Sequence, residues 1–137
     1  MSVYLDASVL MSVFHDDDHS DRVTEWLSLR DDFIFSLWTV AEVSSALSRQ
    51  VKMKNLSSRE RERTETRLDL WLAGRPMADV ASDDFDLARR LLRADVRLRT
   101  PDALHIAVAV RQGLELATLD RAMAESALDF GLGVIVP

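Results

Sequence analysis

Val3-Tyr4-Leu5-Asp6-Ala7-Ser8-Val9-Leu10 is the stretch on which the reading of the whole chain turns. Three apolar residues of β-forming type are stopped by an aspartate, and an apolar stretch then runs on to Phe14. A buried strand that breaks on a polar residue and resumes as an apolar segment is the opening unit of an α/β sheet.

The same alternation continues along the chain. A polar loop, Asp16 to His19, leads to a helix from about Ser20 with Val23, Trp26, Leu27 and the stem of Arg30 on one face. Phe33-Ile34-Phe35 is the second strand. The helix after it, about Trp38 to Met53, carries Val40, Val43, Leu47 and Val51 as its apolar stripe. Glu42 lies off that stripe, on the side shared with Thr39, Ser45 and Arg49. Ser57 and Glu60 have capping-box spacing and open another helix, almost wholly charged from Arg59 to Arg67 and stopped by Gly74 and Pro76. Met77 to Val80 is a third strand, and Ser82 is expected to cap the following helix. Thr100-Pro101 opens the next, threonine as N-cap and proline at the first helical position, with Gly113 ending it. Leu114 to Thr118 is a fourth strand. A short helix near Arg121 to Leu128 and a terminal run, Val134-Ile135-Val136, complete the pattern. It predicts one α/β domain over residues 1–137, with a parallel sheet of four to five short strands flanked by about seven helices.

Composition narrows the function. Cysteine is absent and there are three histidines, so thiolate zinc sites, disulfides and cysteine nucleophiles are out, and a reducing cytoplasm fits. No segment has the roughly 20 apolar residues that span a bilayer, and the start lacks the features of a signal peptide. The net charge of −6 argues against coating nucleic acid through bulk charge. Of 17 basic side chains only Lys52 and Lys54 are lysines.

In open α/β sheets, sites form outside the carboxyl ends of the strands. Asp6 directly follows the first strand and Asp120 sits two residues past Thr118. Glu42 lies in the first turns after the second strand. Asp102 takes the second position of its helix, where free N–H groups favour an anion. Taken singly, each reads as a helix cap or a solvated residue. Together they converge on one edge and account for four of the six net negative charges. Carboxylates so gathered repel, and a hard divalent cation removes the conflict, since Mg²⁺ and Mn²⁺ prefer carboxylate and water oxygens. Metal-assisted phosphodiester hydrolysis is the chemistry that such a set suits best.

Four segments carry a resemblance: the opening Val3 to Leu10, Glu42 in the helix after strand two, Arg99-Thr100-Pro101-Asp102-Ala103-Leu104-His105-Ile106-Ala107, and Ala117-Thr118-Leu119-Asp120. In this order the chain resembles the PIN-domain ribonucleases, and within them the VapC-type toxins of bacterial toxin–antitoxin pairs. The resemblance implies a PIN-like fold and a Mg²⁺-dependent endoribonuclease in which Mn²⁺ substitutes. It implies that Asp6, Glu42, Asp102 and Asp120 form the catalytic, metal-holding quartet, with Asp120 partly acting through water or on a second metal. Ser8 and Thr118 match hydroxyl positions that support the acidic site. It also implies a homodimer and an antitoxin whose C-terminal segment covers the site; Phe14, Trp26 and Trp38 on the early helices read equally as the groove or dimer contact and as core packing.

Several residues have two readings. His105, one turn after Asp102, reads first as a buried histidine hydrogen-bonded within the helix layer and second as a substrate contact. Asp16, Asp17 and Asp18 read as solvated. Among the arginines of residues 89–99, Arg93, Arg97 and Arg99 are candidates for an RNA-facing rim, Arg93 and Arg97 through i,i+4 spacing. The rivals are a catalytically silent binding module of the same fold and an aspartate-nucleophile phosphatase. The latter is disfavoured because Ser8 stands where a general-acid aspartate is needed.

Overall fold

Five short parallel strands form the centre of the computed structural model, which describes residues 2–137. In chain order the elements are β1 (Val3–Leu5), α1 (Ala7–Phe14), α2 (Ser20–Ser28), β2 (Phe33–Ser36), α3 (Leu37–Lys52), α4 (Ser58–Leu72), β3 (Met77–Ala78), α5 (Ser82–Ala94), α6 (Thr100–Gln112), β4 (Glu115–Ala117), α7 (Arg121–Asp129) and β5 (Val134–Ile135). The sheet order is β3-β2-β1-β4-β5, with Val3 opposite both Phe33 and Glu115 and Leu5 opposite Ala117. All neighbouring strands are parallel, as the α/β alternation predicts. Among the described residues no helix is long and apolar enough to cross a membrane.

β1 is central and wholly buried, and its side chains alternate between the two faces. Val3 and Leu5 join a core with α1 to α4, whose anchors include Val9, Val23, Val43, Leu47 and Leu68. Tyr4 points into the opposite core, with α5, α6 and α7. Helix α6 is buried along nearly its whole length, from Ala103 to Ala109, so its apolar residues are not confined to one stripe.

Local chemistry sets most boundaries. Ser57 and Glu60 close the expected capping box on α4, and Gly113 ends α6 with φ of 66°, a left-handed turn glycine adopts without strain. Two starts differ by a residue from the sequence reading. Ala81, not Ser82, is the N-cap of α5; its N–H donates to the Asp84 carboxylate. Arg99 is the N-cap of α6, so Asp102 takes the third helical position. The loop aspartates are all exposed, as expected, and Asp17 in addition accepts from Ser12 Oγ and from the His19 N–H, tying the α1–α2 turn. Phe14 is buried, its ring edge against Trp71, and so belongs to the core.

Candidate active site

Strand order reverses between β1 and β4, and a parallel sheet opens its crevice at such a point, outside the carboxyl ends of the strands. Asp6 leaves β1 there. It is the N-cap of α1, and its Oδ1 accepts the Val9 N–H at 3.1 Å and the Ser8 hydroxyl at 2.6 Å. Its Oδ2 accepts the Thr118 hydroxyl from the end of β4 at 2.6 Å. Ser8 Oγ in turn accepts the Leu119 N–H, and Thr118 Oγ1 accepts the Asp120 N–H. The two hydroxyls therefore stitch the strand ends together through one buried carboxylate. Asp6 is only 4% exposed, and burial pushes its carboxyl above the ordinary range against the lowering pull of His105 and these hydrogen bonds.

An open cleft of about 590 Å³ lies over this carboxylate, and Glu42, Asp102 and Asp120 line it together with Asp6 and Ser8. Each acidic residue comes from a different element: the end of β1, α3, the first turn of α6, and the start of α7. The Asp102 carboxyl is raised, first by burial and then by the negative charge of Asp120, with Glu42 adding to it and Arg99 opposing it. Asp120 caps α7 through Oδ1, which accepts the Met123 N–H at 3.0 Å. Capping and cleft lining thus coexist in Asp6 and Asp120.

The four line one cleft without closing on a point. Among the described residues, no three or more His, Asp and Glu side chains gather closely enough to hold a metal ion by themselves.

Further residues reach the cleft. His105 is 1% exposed; its Nε2 lies 2.5 Å from Glu42 Oε2 and its Nδ1 2.8 Å from the Tyr4 hydroxyl. It is the buried, hydrogen-bonded histidine of the first reading, and it also touches a site carboxylate. The Tyr4 hydroxyl contacts Ser36 Oγ at 2.7 Å, and burial raises its pKa to about 12, so it stays a neutral phenol. Trp38 lines one wall, its indole N–H donating to the Pro101 carbonyl at 3.3 Å.

The arginines divide. Arg99 lines the cleft, 80% exposed and 3.8 Å from Asp102. Arg93 is exposed on α5 and is not among the cleft-lining residues. Arg97 lies beyond the end of α5, so the i,i+4 face with Arg93 does not form. Its guanidinium is held by Asp95 and Asp129, each at 2.6 Å. Arg49, one of the side chains on the Glu42 side of α3, does reach the cleft and has no ion-pair partner among the described residues. Its signal was spacing: it follows Glu42 by seven residues, two helical turns on the same face. Tyr4 carried no such signal, because its partner His105 lies 101 residues away.

Strand-end carboxylates thus stand around the switch point of a short parallel sheet, and residues 3–127 match the PIN-domain family. The chain belongs to that family. It is 31% identical to Ribonuclease VapC46 of Mycobacterium tuberculosis over 99% of its own length and 98% of that protein's, which places it among the VapC-type members. The fold is shared with FitAcB from Neisseria gonorrhoeae, at TM-score 0.75 and 20% identity, covering 98% of this chain and 97% of the other. It is also shared with Mycobacterium tuberculosis VapC20, a sarcin-ricin loop cleaving toxin, at TM-score 0.72 and 20% identity over 99% and 100% of the two chains. A third structure, VapBC2 from Rickettsia felis bound to a promoter DNA fragment, matches at TM-score 0.71 and 16% identity over 98% of each chain.

Proposed function

We propose that the protein is a divalent-cation-dependent endoribonuclease, the toxin of a toxin–antitoxin pair, and that Asp6, Glu42, Asp102 and Asp120 are its cation-holding residues. The observation that carries this is Asp6: a buried carboxylate fixed by three donors, yet lining an open cleft shared with three more acidic side chains. A carboxylate buried for stability alone finds a basic partner, as Asp84 does in Arg111. Among the described residues Asp6 has no Lys or Arg partner; burial raises both Asp6 and Asp102, and the charges of Asp120 and Glu42 add to it at Asp102. The donor set is all oxygen, which suits Mg²⁺ or Mn²⁺. Its open spacing fits Mg²⁺, which keeps several waters and takes one or two carboxylates.

When bound, such a cation supplies a Lewis acid for the phosphodiester and lowers the pKa of coordinated water. The chain's own residues do the rest. Ser8 and Thr118 hold both Asp6 oxygens in place, so the carboxylate needs no reorganisation to receive the cation. Asp120, capped on one oxygen, keeps Oδ2 for the cleft. Arg49 and Arg99 stand on the rim to take phosphates flanking the scissile bond, which the acidic floor would otherwise repel. Arg93 and Arg97 have no part in this reading: one stands away from the cleft and the other is bound in ion pairs.

The partner follows from the relatives. A toxin–antitoxin complex from Klebsiella pneumoniae shares this fold, as VapBC2 does, and an acidic cleft of this kind would accept an Arg or Lys from an antitoxin's C-terminal segment. A homodimer remains part of the same proposal. Against an aspartate-nucleophile phosphatase stands the absence of Lys52 and Lys54 from the residues that line the cleft.

The test is RNA cleavage titrated with Mn²⁺. Cleavage that depends on the cation and is abolished by Asp6→Asn, in a variant with unchanged melting behaviour, is the expected result. Cleavage surviving in excess chelator or in that variant overturns the mechanism. A wild type that binds Mn²⁺ but cuts no RNA would favour the silent binding module.

A further inference from the structure

A glutamate on a helix has three rotatable bonds and loses side-chain freedom when held in one rotamer. Glu42 is on α3, its side chain 24% exposed, yet it is held. The holder is a chain of buried groups that runs from the centre of the sheet: Ser36 Oγ, the Tyr4 hydroxyl, the His105 ring and Glu42 Oε2, at 2.7, 2.8 and 2.5 Å in turn.

In either charge state of His105 this chain stays bonded end to end, with Nε2 as the donor to Glu42. Thr39 Oγ1 donates to the Leu5 carbonyl at 3.0 Å, and Ser36 Oγ accepts the Thr39 N–H. A deprotonated Nε2 facing an ionised Glu42 would set two acceptors against each other, so with Glu42 ionised Nε2 carries a hydrogen and donates to Oε2. In a neutral ring Nδ1 accepts from the Tyr4 hydroxyl, which accepts from Ser36; in a charged ring Nδ1 donates to Tyr4, which donates to Ser36. Each hydrogen is used once. Glu42 Oε1 has no hydrogen bond among the described residues, and Glu42 lines the cleft.

We infer that Tyr4 and His105 are positioning residues for the active site: acting from inside the core, they hold Oε2 of Glu42 and leave Oε1 as the oxygen offered to the cation. The inference rests on reading Glu42 as a cation ligand. Neither residue touches substrate or cation. Their effect passes through the orientation of one carboxylate, the role that outer hydrogen-bond partners play around metal ligands generally.

The experiment measures Mn²⁺ affinity of the purified chain by calorimetric titration, alongside RNA cleavage. His105→Leu fills the space without a donor, and the freed Tyr4 hydroxyl still has Thr39 Oγ1 within 3.2 Å. It is expected to weaken Mn²⁺ binding by about 10–100-fold, with kcat recovering at high Mn²⁺ and KM for RNA unchanged. His105→Gln, whose amide nitrogen reaches the position of Nε2, is expected to restore most of the affinity. A purely structural role would lower the melting temperature and leave Mn²⁺ affinity alone.

Wild-type affinity in folded His105→Leu overturns the inference, as does a His105→Gln variant as weak as His105→Leu. If His105→Leu does not fold, Tyr4→Phe decides: weakened Mn²⁺ binding supports the brace, and unchanged binding refutes it. A wild type that binds no Mn²⁺ removes the reading of Glu42 itself, and that outcome is distinct from a wild type that binds while every variant binds equally.

Discussion

Replacing Asp6 by asparagine separates the stability of the fold from the affinity of the site. The asparagine carbonyl keeps the Ser8 hydroxyl and Val9 N–H that Oδ1 accepts now. Its amide replaces Oδ2 and donates to Thr118 Oγ1, whose own hydrogen turns to Met123 Sδ, 3.8 Å away. All three contacts survive but lose their charge assistance, a loss of roughly 1 kcal/mol each. Against that stands the cost of a buried carboxylate, several kcal/mol for an ion taken out of water. The sign follows from the raised pKa. The folded state binds the Asp6 proton more tightly than the unfolded state, so above the folded pKa the charge opposes folding, and asparagine removes that opposition.

The two effects nearly cancel, and chelated Asp6→Asn is expected within about 1 kcal/mol of wild type. Asp6→Ala loses the cap and strands buried hydroxyls, costing roughly 3–4 kcal/mol. With Mn²⁺ at a hundred times its Kd, wild type gains about 2.7 kcal/mol, or roughly 8–10 °C for a chain of this size. Asp6→Asn is expected to lose most of that gain. Scanning calorimetry with chelator and with Mn²⁺ measures all four quantities. The reasoning fails if chelated Asp6→Asn falls as far as Asp6→Ala, or if it keeps the full Mn²⁺ shift.

Three further outcomes are expected. Arg111 holds Asp84, fully buried at the start of α5, at 2.6 Å, so Arg111→Met leaves that charge unpaired and costs about 3–5 kcal/mol in urea unfolding. The doubled variant Asp84→Leu with Arg111→Met recovers much of the loss. The Arg97 guanidinium and N–H hold the Asp95 carboxyl well below the usual carboxylate range. Its contribution is therefore complete above the unfolded pKa of about 3.9 and lost as pH falls toward the folded value. Acid unfolding of wild type and Asp95→Asn should converge at the lowest pH and separate above it. Arg49→Ala is expected to raise KM for RNA with little change in kcat, and to reduce the salt dependence of single-strand binding by a slope of about 0.7.

What the sequence disclosed was what short range determines. Asp6, Asp102 and Asp120 stand where a strand ends or a helix starts, and turn chemistry announces such places within a few residues. The Ser57–Glu60 cap and the Gly113 stop were legible for the same reason. Glu42 needed its position off an apolar stripe and a family pattern, since nothing local distinguishes a site glutamate from a solvated one. The arginines were misjudged where helix periodicity was carried past Ala94, the last residue of α5. Asp95 breaks the helix there, with extended φ and ψ, and then captures Arg97. The Tyr4 brace was illegible because only the strand order brings residue 4 beside residue 105.

That brace crosses a boundary. Glu42 rides on the helical layer of α1 to α4, whereas His105 belongs to the layer of α5 to α7 on the other face of the sheet. The cleft is thus a seam between two halves of the molecule, and Trp38 reaches across it as well. An occupant bonded to Glu42 and Asp102 grips both halves at once, so its binding energy resists their separation rather than the fraying of one loop. Amides in the middle of α3 and of α6, far from any ligand contact, should slow their exchange with solvent in step when the seam is filled.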